Sequence, residues 1–305
     1  MPVIEKQPSG EQSVEGATGT LRVVAVRHYG RWVLGLVVLV ILYAIVHAFA
    51  VADIQYDVIW QYFHAQSILL GVLHTLGLTL VSMALALVLG VLTAVMRQSH
   101  NPVLKWVAAG YAWLFRGTPL LVQLLVWFNL SLIFKTFTIP GIYSNSMNAV
   151  MTPFVAAVLG LGVNEGAYIS EIVRGGILSV DNGQREAASA IGMTRGKTMV
   201  RIVLPQALRV IVPALGNEFI ALLKYSSLAY VIAYSELLNS ANKIYTANFL
   251  VIELLFTASL WYILLTTAFT LLQQVLERRL NRGHAQTQPA LRSRLKQNLS
   301  LRRAR

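Results

Sequence analysis

The chain is 305 residues long and 56% hydrophobic, with mean hydropathy +0.60 and only 12% charged residues. A soluble domain carries about 25% charged residues, so the composition excludes an ordinary water-soluble globule, and a sequence with no cysteine excludes disulfides, thiolate nucleophiles and thiolate metal sites. The net charge of +12 falls outside the apolar runs and reads as membrane topology rather than a nucleic-acid footprint.

In chain order, residues 1–30 hold prolines, glycines and few large apolar side chains, which predicts a disordered cytoplasmic tail. Residues 32–52 are long enough to span a bilayer, which takes roughly 20 residues. A signal peptide is the competing reading, but the run is long, lies far from the start and lacks a small-residue cleavage site before Asp53, so an uncleaved helix is expected. Residues 53–66, with Trp60, Tyr62 and Phe63, suit the membrane–water interface. Further spans are expected at 67–96, 118–134, 149–173, 202–233 and 249–275, with a kink at Pro213. That makes six transmembrane helices in an all-α integral membrane protein. The 277–305 tail is basic; it reinforces topology and offers a surface to anionic lipid.

Lysines and arginines set the orientation. With both termini in the cytoplasm, 22 of the 25 lie on the inner side: four in the first tail, three in 97–116, six in 174–209 and nine in the last tail. Only Lys135, Lys224 and Lys243 remain for the outer half. This orientation places 184–205, QREAASAIGMTRGKTMVRIVLP, in the cytoplasm. Residues 184–198 contain no proline, are rich in alanine and predict one surface helix whose small side chains permit close docking. Gly192 permits close contact or a bend there, and Arg185, Arg195, Lys197 and Arg201 keep the segment in water or at headgroups.

Chemistry within this chain is sparse. Gly192 to Thr198, GMTRGKT, fails as a phosphate loop, because only three residues separate its glycines and no strand precedes it. The histidines at 28, 47, 64, 74, 100 and 284 include no metal-binding i, i+4 pair. Intramembrane ionisable groups carry more information, since charge in a bilayer is costly and faces a cavity or a partner. Glu218 is a candidate ligand for a substrate cation, beside Asn217; the alternative is an internal salt bridge or a protonated carboxyl between helices. Lys224, Ser226 and Ser227 are candidates for the substrate path, with a snorkelling lysine as the alternative. Asn164, Tyr168, Glu171 and Gly175 share a helix face, Glu165 lies on the adjoining one, and Glu171 is placed to pair with Arg174. Gln123 shares a face with Trp127; packing is the leading reading for it, and a polar lining the alternative.

The segment Glu186-Ala187-Ala188, then Gly192, Ile202 and Leu204-Pro205, resembles the cytoplasmic coupling loop of permease subunits in bacterial ATP-binding-cassette importers, with every spacing met. Arg116-Gly117-Thr118-Pro119-Leu120, Val122-Gln123, Ala167-Tyr168 with Glu171 and Arg174-Gly175-Gly176, and 204–209 resemble the branch that carries histidine, glutamate, glutamine, arginine and opines. The resemblance covers about 70–275. It implies a type I importer permease fold over 66–276, with the coupling loop at 183–201 and the 31–65 helix and outer connection as an addition. It implies that Glu186, Ala187, Ala188, Gly192 and Arg195 dock onto a separate ATPase, which would hold the ATP and magnesium; no cofactor is expected in this chain. The implied partners are two ATPase subunits, a second permease, identical or not, an extracytoplasmic amino-acid-binding protein and the lipid of a bacterial inner membrane. The implied activity is inward transport of a polar amino acid, basic and opine-like compounds included, by alternating access. In some family members an acid matching Glu218 meets the substrate's cationic group. A gradient-driven secondary transporter is the alternative, although no internal repeat supports it. Two departures stand out: the helix at 32–52, and Lys224-Tyr225-Ser226-Ser227-Leu228, where family members have Lys-Asp-Thr-Ser-Leu. The outer connection 134–148 is the candidate contact for the delivery protein.

Overall fold

Long apolar stretches without water must satisfy their backbone groups internally, so they become helices. The computed structural model describes residues 29–280; of the two expected tails, 1–28 and 281–305, with Arg292 and its basic neighbours, lie outside the described residues, whereas 29–30 belong to the first helix and 277–280, with Arg278 and Arg279, to the last. The chain divides into two units, residues 1–54 and 55–305. The first contributes α1 (Tyr29–Val51), apolar on every side and long enough to cross a bilayer.

The second unit begins with α2 (Tyr56–Phe63), α3 (Gln66–Gln98), α4 (Pro102–Gly117) and α5 (Leu120–Phe128). A hairpin, β1 (Thr136–Ile139) and β2 (Tyr143–Ser146), and the short α6 (Met147–Val150) lead to α7 (Pro153–Leu178). There follow α8 (Asn182–Ala190), α9 (Arg195–Thr198), α10 (Leu204–Tyr225), α11 (Leu237–Asn248) and α12 (Val251–Leu280). Within this unit, α3, the segment Arg195–Ile232 and Val251–Arg279 are long and apolar enough to span a membrane.

The expected fourth span corresponds to α7, which is not apolar enough to qualify by composition; it carries Glu165, Glu171 and Arg174. The physical reason is its position. α7 runs through the middle of the bundle, and protein rather than lipid solvates it. Its main partner is α3. Ser82, Ala86, Gly90 and Ala94 on α3 and Gly162, Gly166 and Ser170 on α7 recur every fourth residue and are all buried. Small side chains in these two stripes bring the backbones together, the packing that membrane helices use in place of a hydrophobic drive. A Cβ on Gly90 would sit 2.4 Å from Ile169 Cγ2, so the approach leaves no room for alanine. On the other face of α3, Leu73, Leu80, Val88 and Val95 are exposed, as a lipid-facing surface requires.

The structure differs from the sequence reading over 97–134. The expected cytoplasmic loop 97–116 is mostly α4, begun by Asn101, whose Oδ1 accepts from Val103 N, and by Pro102 at the first turn. α4 packs on α7: the Tyr111 hydroxyl donates to Val163 O at 2.6 Å. The third hydrophobic rod is therefore α4 plus α5, broken where Pro119 supplies no N–H, rather than the single run 118–134. Its amphipathic first half, with Trp106 and Trp113 exposed, disguises it as a loop in the sequence.

A second apolar cluster joins the start of α3 to α10, α11 and α12 through Ile68, Leu223, Leu237, Ala241 and Leu254. The interfacial aromatics of α2 lie on α12, with Phe63 stacked on Trp261 at 4.6 Å.

Candidate functional site

The α4–α5 break frees backbone carbonyls inside the bundle, and two amides answer them. Gln123 Nε2 donates to Phe115 O, Thr118 O and Thr118 Oγ1 at 3.0, 3.1 and 2.7 Å. Asn164 Nδ2, from α7, donates to Phe115 O at 2.7 Å and Gln123 Oε1 at 3.2 Å. Buried polar groups in such a site must be paired, and Gln123 is fully occupied with that task. Asn164 shares the task and also borders a cavity.

That cavity, about 640 Å³, lies between the α4–α5 break, the middle of α7 and α10. Its polar lining includes Arg116, Thr118, Asn164, Glu165, Tyr168 and Glu218. Glu165, 2% exposed, lies within hydrogen-bonding reach of Glu218, and its Oε1 has no hydrogen-bond partner among the described residues. Neither carboxylate has a basic partner within ion-pair distance among the described residues, in contrast to Glu171. Two carboxylates this close repel unless a cation or proton stands between them.

One side of α7 below the cavity is basic. Glu171 Oε1 pairs with Arg97, and Glu171 Oε2 accepts from Arg174 Nε at 2.8 Å, so the pairing expected between Glu171 and Arg174 is present. Arg116 Nη1 lies 3.4 Å from Glu171 Oε1, and its guanidinium carbon lies over the Tyr168 ring, 5.4 Å from the centroid. The cluster links α3, α4 and α7.

Helical periodicity splits the α10 candidates. Glu218 and Tyr225 face the cavity, whereas Asn217 and Lys224, also seven apart, line a different hollow of about 380 Å³ with Thr270, Gln273, Gln274 and Glu277. Gln273 Nε2 donates to Asn217 Oδ1 at 3.0 Å. Adjacent helix positions point about 100° apart, so Asn217 and Glu218 do not share a surface. Ser226 and Ser227 each donate to a carbonyl of the preceding turn, Leu223 O and Lys224 O, both at 2.7 Å. Their hydroxyls bond the last carbonyls of α10, where the chain passes into the tight turns of Ser226–Ile232.

The 184–198 segment is not one helix. Asp181 caps α8 by accepting from Gly183 N at 2.7 Å, and α8 ends at Ala190. Gly192, at φ +77°, turns the chain, and Thr194 starts α9. Gly192 has open space around its Cβ position, so glycine is there for its backbone and not for contact. Glu186, Ala187, Gly192 and Arg195 are exposed, while Ala188 is buried beneath them. Arg185 donates to Ile177 O at 2.7 Å, which ties α8 to the end of α7. α7 thus connects the exposed corner to the carboxylate cavity.

Residues 86–282 match the family described as binding-protein-dependent transport system inner membrane component. The chain belongs to this family. The arginine transport system permease protein of Corynebacterium glutamicum is 40% identical over 263 residues, covering 86% of this chain and 83% of that protein. The L-cystine transport system permease protein of Bacillus subtilis is 41% identical over 213 residues, 70% of this chain and 86% of that one. Among solved structures, an amino acid ABC transporter with histidines matches with TM-score 0.66 and 35% identity, covering 75% of this chain and all of that one. A methionine ABC transporter in an inward facing conformation, 20% identical with TM-score 0.57 over 70% of this chain and 96% of that one, shares the fold. The permease thus has the type I importer permease fold and is an inner membrane component.

Sequence reasoning on the permease singled out Glu218 and Asn164 but not Arg116, Tyr168 or Tyr225 as cavity groups. The signal for Arg116 was present in Arg116-Gly117-Thr118-Pro119, since an arginine just before a helix break in a hydrophobic region needs an anionic or aqueous neighbour.

Proposed function

We propose that this permease carries a polar amino acid with a cationic side chain into the cytoplasm, and that a separate ATPase drives it through the α8–α9 corner. The observation that carries the substrate reading is the pair Glu165 and Glu218, which lie side by side in the wall of a cavity inside the helix bundle. Two carboxylates without a protein counter-ion make a site for an ammonium or guanidinium, through charge-assisted hydrogen bonds. The naming of the Corynebacterium glutamicum relative for arginine transport supports this chemistry.

The coupling reading rests on Glu186, Ala187, Gly192 and Arg195, an exposed corner fixed to α7 by Arg185. Closure of two ATPase subunits on such corners would move α7 as a rigid element and reopen the cavity on the other side. A second permease, like or unlike, completes the path, and a binding protein delivers substrate on the face of the β1–β2 hairpin. Six spans with both termini cytoplasmic, and a permease domain over 66–276 preceded by an additional helix, complete the arrangement. Asn217 and Lys224 belong to a second polar hollow on another side of α10, against α12.

The test is uptake of labelled arginine into proteoliposomes containing the permease and its ATPase. Uptake that requires both ATP and the ATPase supports the proposal. Uptake that proceeds on an ion gradient with the ATPase omitted contradicts it and makes the protein a secondary transporter.

A further inference from the structure

The cavity is electrically lopsided. Its acidic part, Glu165 and Glu218, has no ion-pair partner among the described residues. Its basic part is over-supplied: Arg97 and Arg174 already occupy the two oxygens of Glu171, and Arg116 comes third, at 3.4 Å from an oxygen that Arg97 holds. Three guanidiniums around one carboxylate leave a surplus positive charge. Arg116 is the member that also lines the cavity, and its side chain is 42% exposed. Tyr168, between the two regions on α7, carries the Arg116 guanidinium carbon over its ring at 5.4 Å, and a guanidinium has five N–H donors, more than its one contact with Glu171 uses.

We infer that Arg116 reads the α-carboxylate of the substrate, so that the cavity selects an amino acid by the spacing between that carboxylate and a side-chain cation. The inference rests on the cationic amino-acid reading above. Glu165 and Glu171 are six residues apart on α7, about 9 Å along the axis. Arg116 bridges back from Glu171 to Tyr168, one turn from Glu165. The positive and negative groups of the cavity are therefore separated by between one and two helical turns. An α-ammonium lies one carbon from its own carboxylate and cannot reach both ends. A guanidinium or ammonium at the end of a three- or four-carbon side chain can. The bound molecule then lies along α7 with its carboxylate toward the Arg97–Arg174 end, which is the end nearer α8. A neutral side chain leaves the Glu165–Glu218 pair to hold a proton in place of the substrate's cation, and a decarboxylated amine leaves Arg116 without its partner.

Equilibrium binding to the purified, detergent-solubilised transporter complex tests this with L-arginine and with agmatine, which is arginine without the carboxylate. The expected result is that the intact complex binds arginine at least about tenfold more tightly than agmatine. Arg116→Gln weakens arginine to within about threefold of agmatine and leaves agmatine unchanged. Arg116→Lys, which keeps the charge and guards against a simple packing defect, retains a clear preference for arginine. An Arg116→Gln complex that loses affinity for both ligands by the same factor, or that keeps the full arginine preference, overturns the inference while leaving the proposed function standing. Glu218→Gln separates the two claims, because it is expected to weaken both ligands alike. An intact complex that binds neither ligand defeats the cationic reading and the role of Arg116 with it.

Discussion

Gly192 offers the sharpest perturbation of the coupling corner. Its φ of +77° lies where an L-residue clashes with its own backbone, at a cost of roughly 1–2 kcal/mol, more for a β-branched side chain. No heavy atom lies within 4 Å of a Cβ built there, so that cost is purely conformational. Local bonds shape the turn itself, among them Gly192 N to Ser189 O and Met193 N to Ala188 O, both 3.0 Å. A strain of this size shifts the balance between the turned and an alternative corner by about five- to thirtyfold. Asparagine tolerates the left-handed region, alanine less well and valine least. The expected order of ATP-driven uptake in proteoliposomes is Gly192→Asn near the unaltered protein, Gly192→Ala lower, and Gly192→Val down by about tenfold. Insertion and arginine binding should stay normal in all three. Gly196→Ala, inside α9 with open space around it, is the control and should transport normally. Equal uptake by the valine and asparagine variants would refute the claim that the corner's backbone conformation transmits the stroke.

Three other substitutions probe the scaffold and the cavity. Gly90→Val drives side-chain atoms into Ile169 and should lower detergent thermal stability by about 1–3 kcal/mol, while Gly77→Val, which meets nothing within 4 Å, should not. Gln123→Leu leaves the carbonyls of Phe115 and Thr118 without their side-chain donor, costing about 1–3 kcal/mol and loosening the α4–α5 break; limited proteolysis at 117–119 reports it. Glu236 caps α11 by accepting from Leu238 N and Asn239 N at 2.8 and 2.7 Å and takes the Tyr262 hydroxyl at 2.8 Å, so Glu236→Ala should destabilise by at least about 1–2 kcal/mol in thermal unfolding.

How much was legible depended on what kind of signal each element carried. α3 and the start and end of the α10 and α12 rods were readable because uniform apolar runs of that length have one physical solution. α4 was not, since a helix that shows tryptophans outward and tyrosine inward mixes polar and apolar residues as a loop does. The corner at Gly192 was readable as a bend but not as a helix break, because a glycine's φ is set by the chain around it. In the cavity, Glu218 announced itself as a charge in an apolar run. Its partner Glu165 and the counter-charge Arg116 come from α7 and α4, and only packing brings three separate segments to one hollow. The different facing of Asn217 and Lys224 follows from helical phase, which fixes which residues share a side but not which side faces the cavity.

A chain with no cysteine of its own makes the most direct test simple, since Ala187→Cys introduces a single thiol on the exposed face of α8. In membranes carrying the assembled transporter, that thiol should react with an impermeant maleimide only from the cytoplasmic side, and a short bifunctional cross-linker should join it to the ATPase and arrest uptake. Labelling from the outer side, or full ATP-driven uptake after complete modification with a bulky maleimide, would contradict the account.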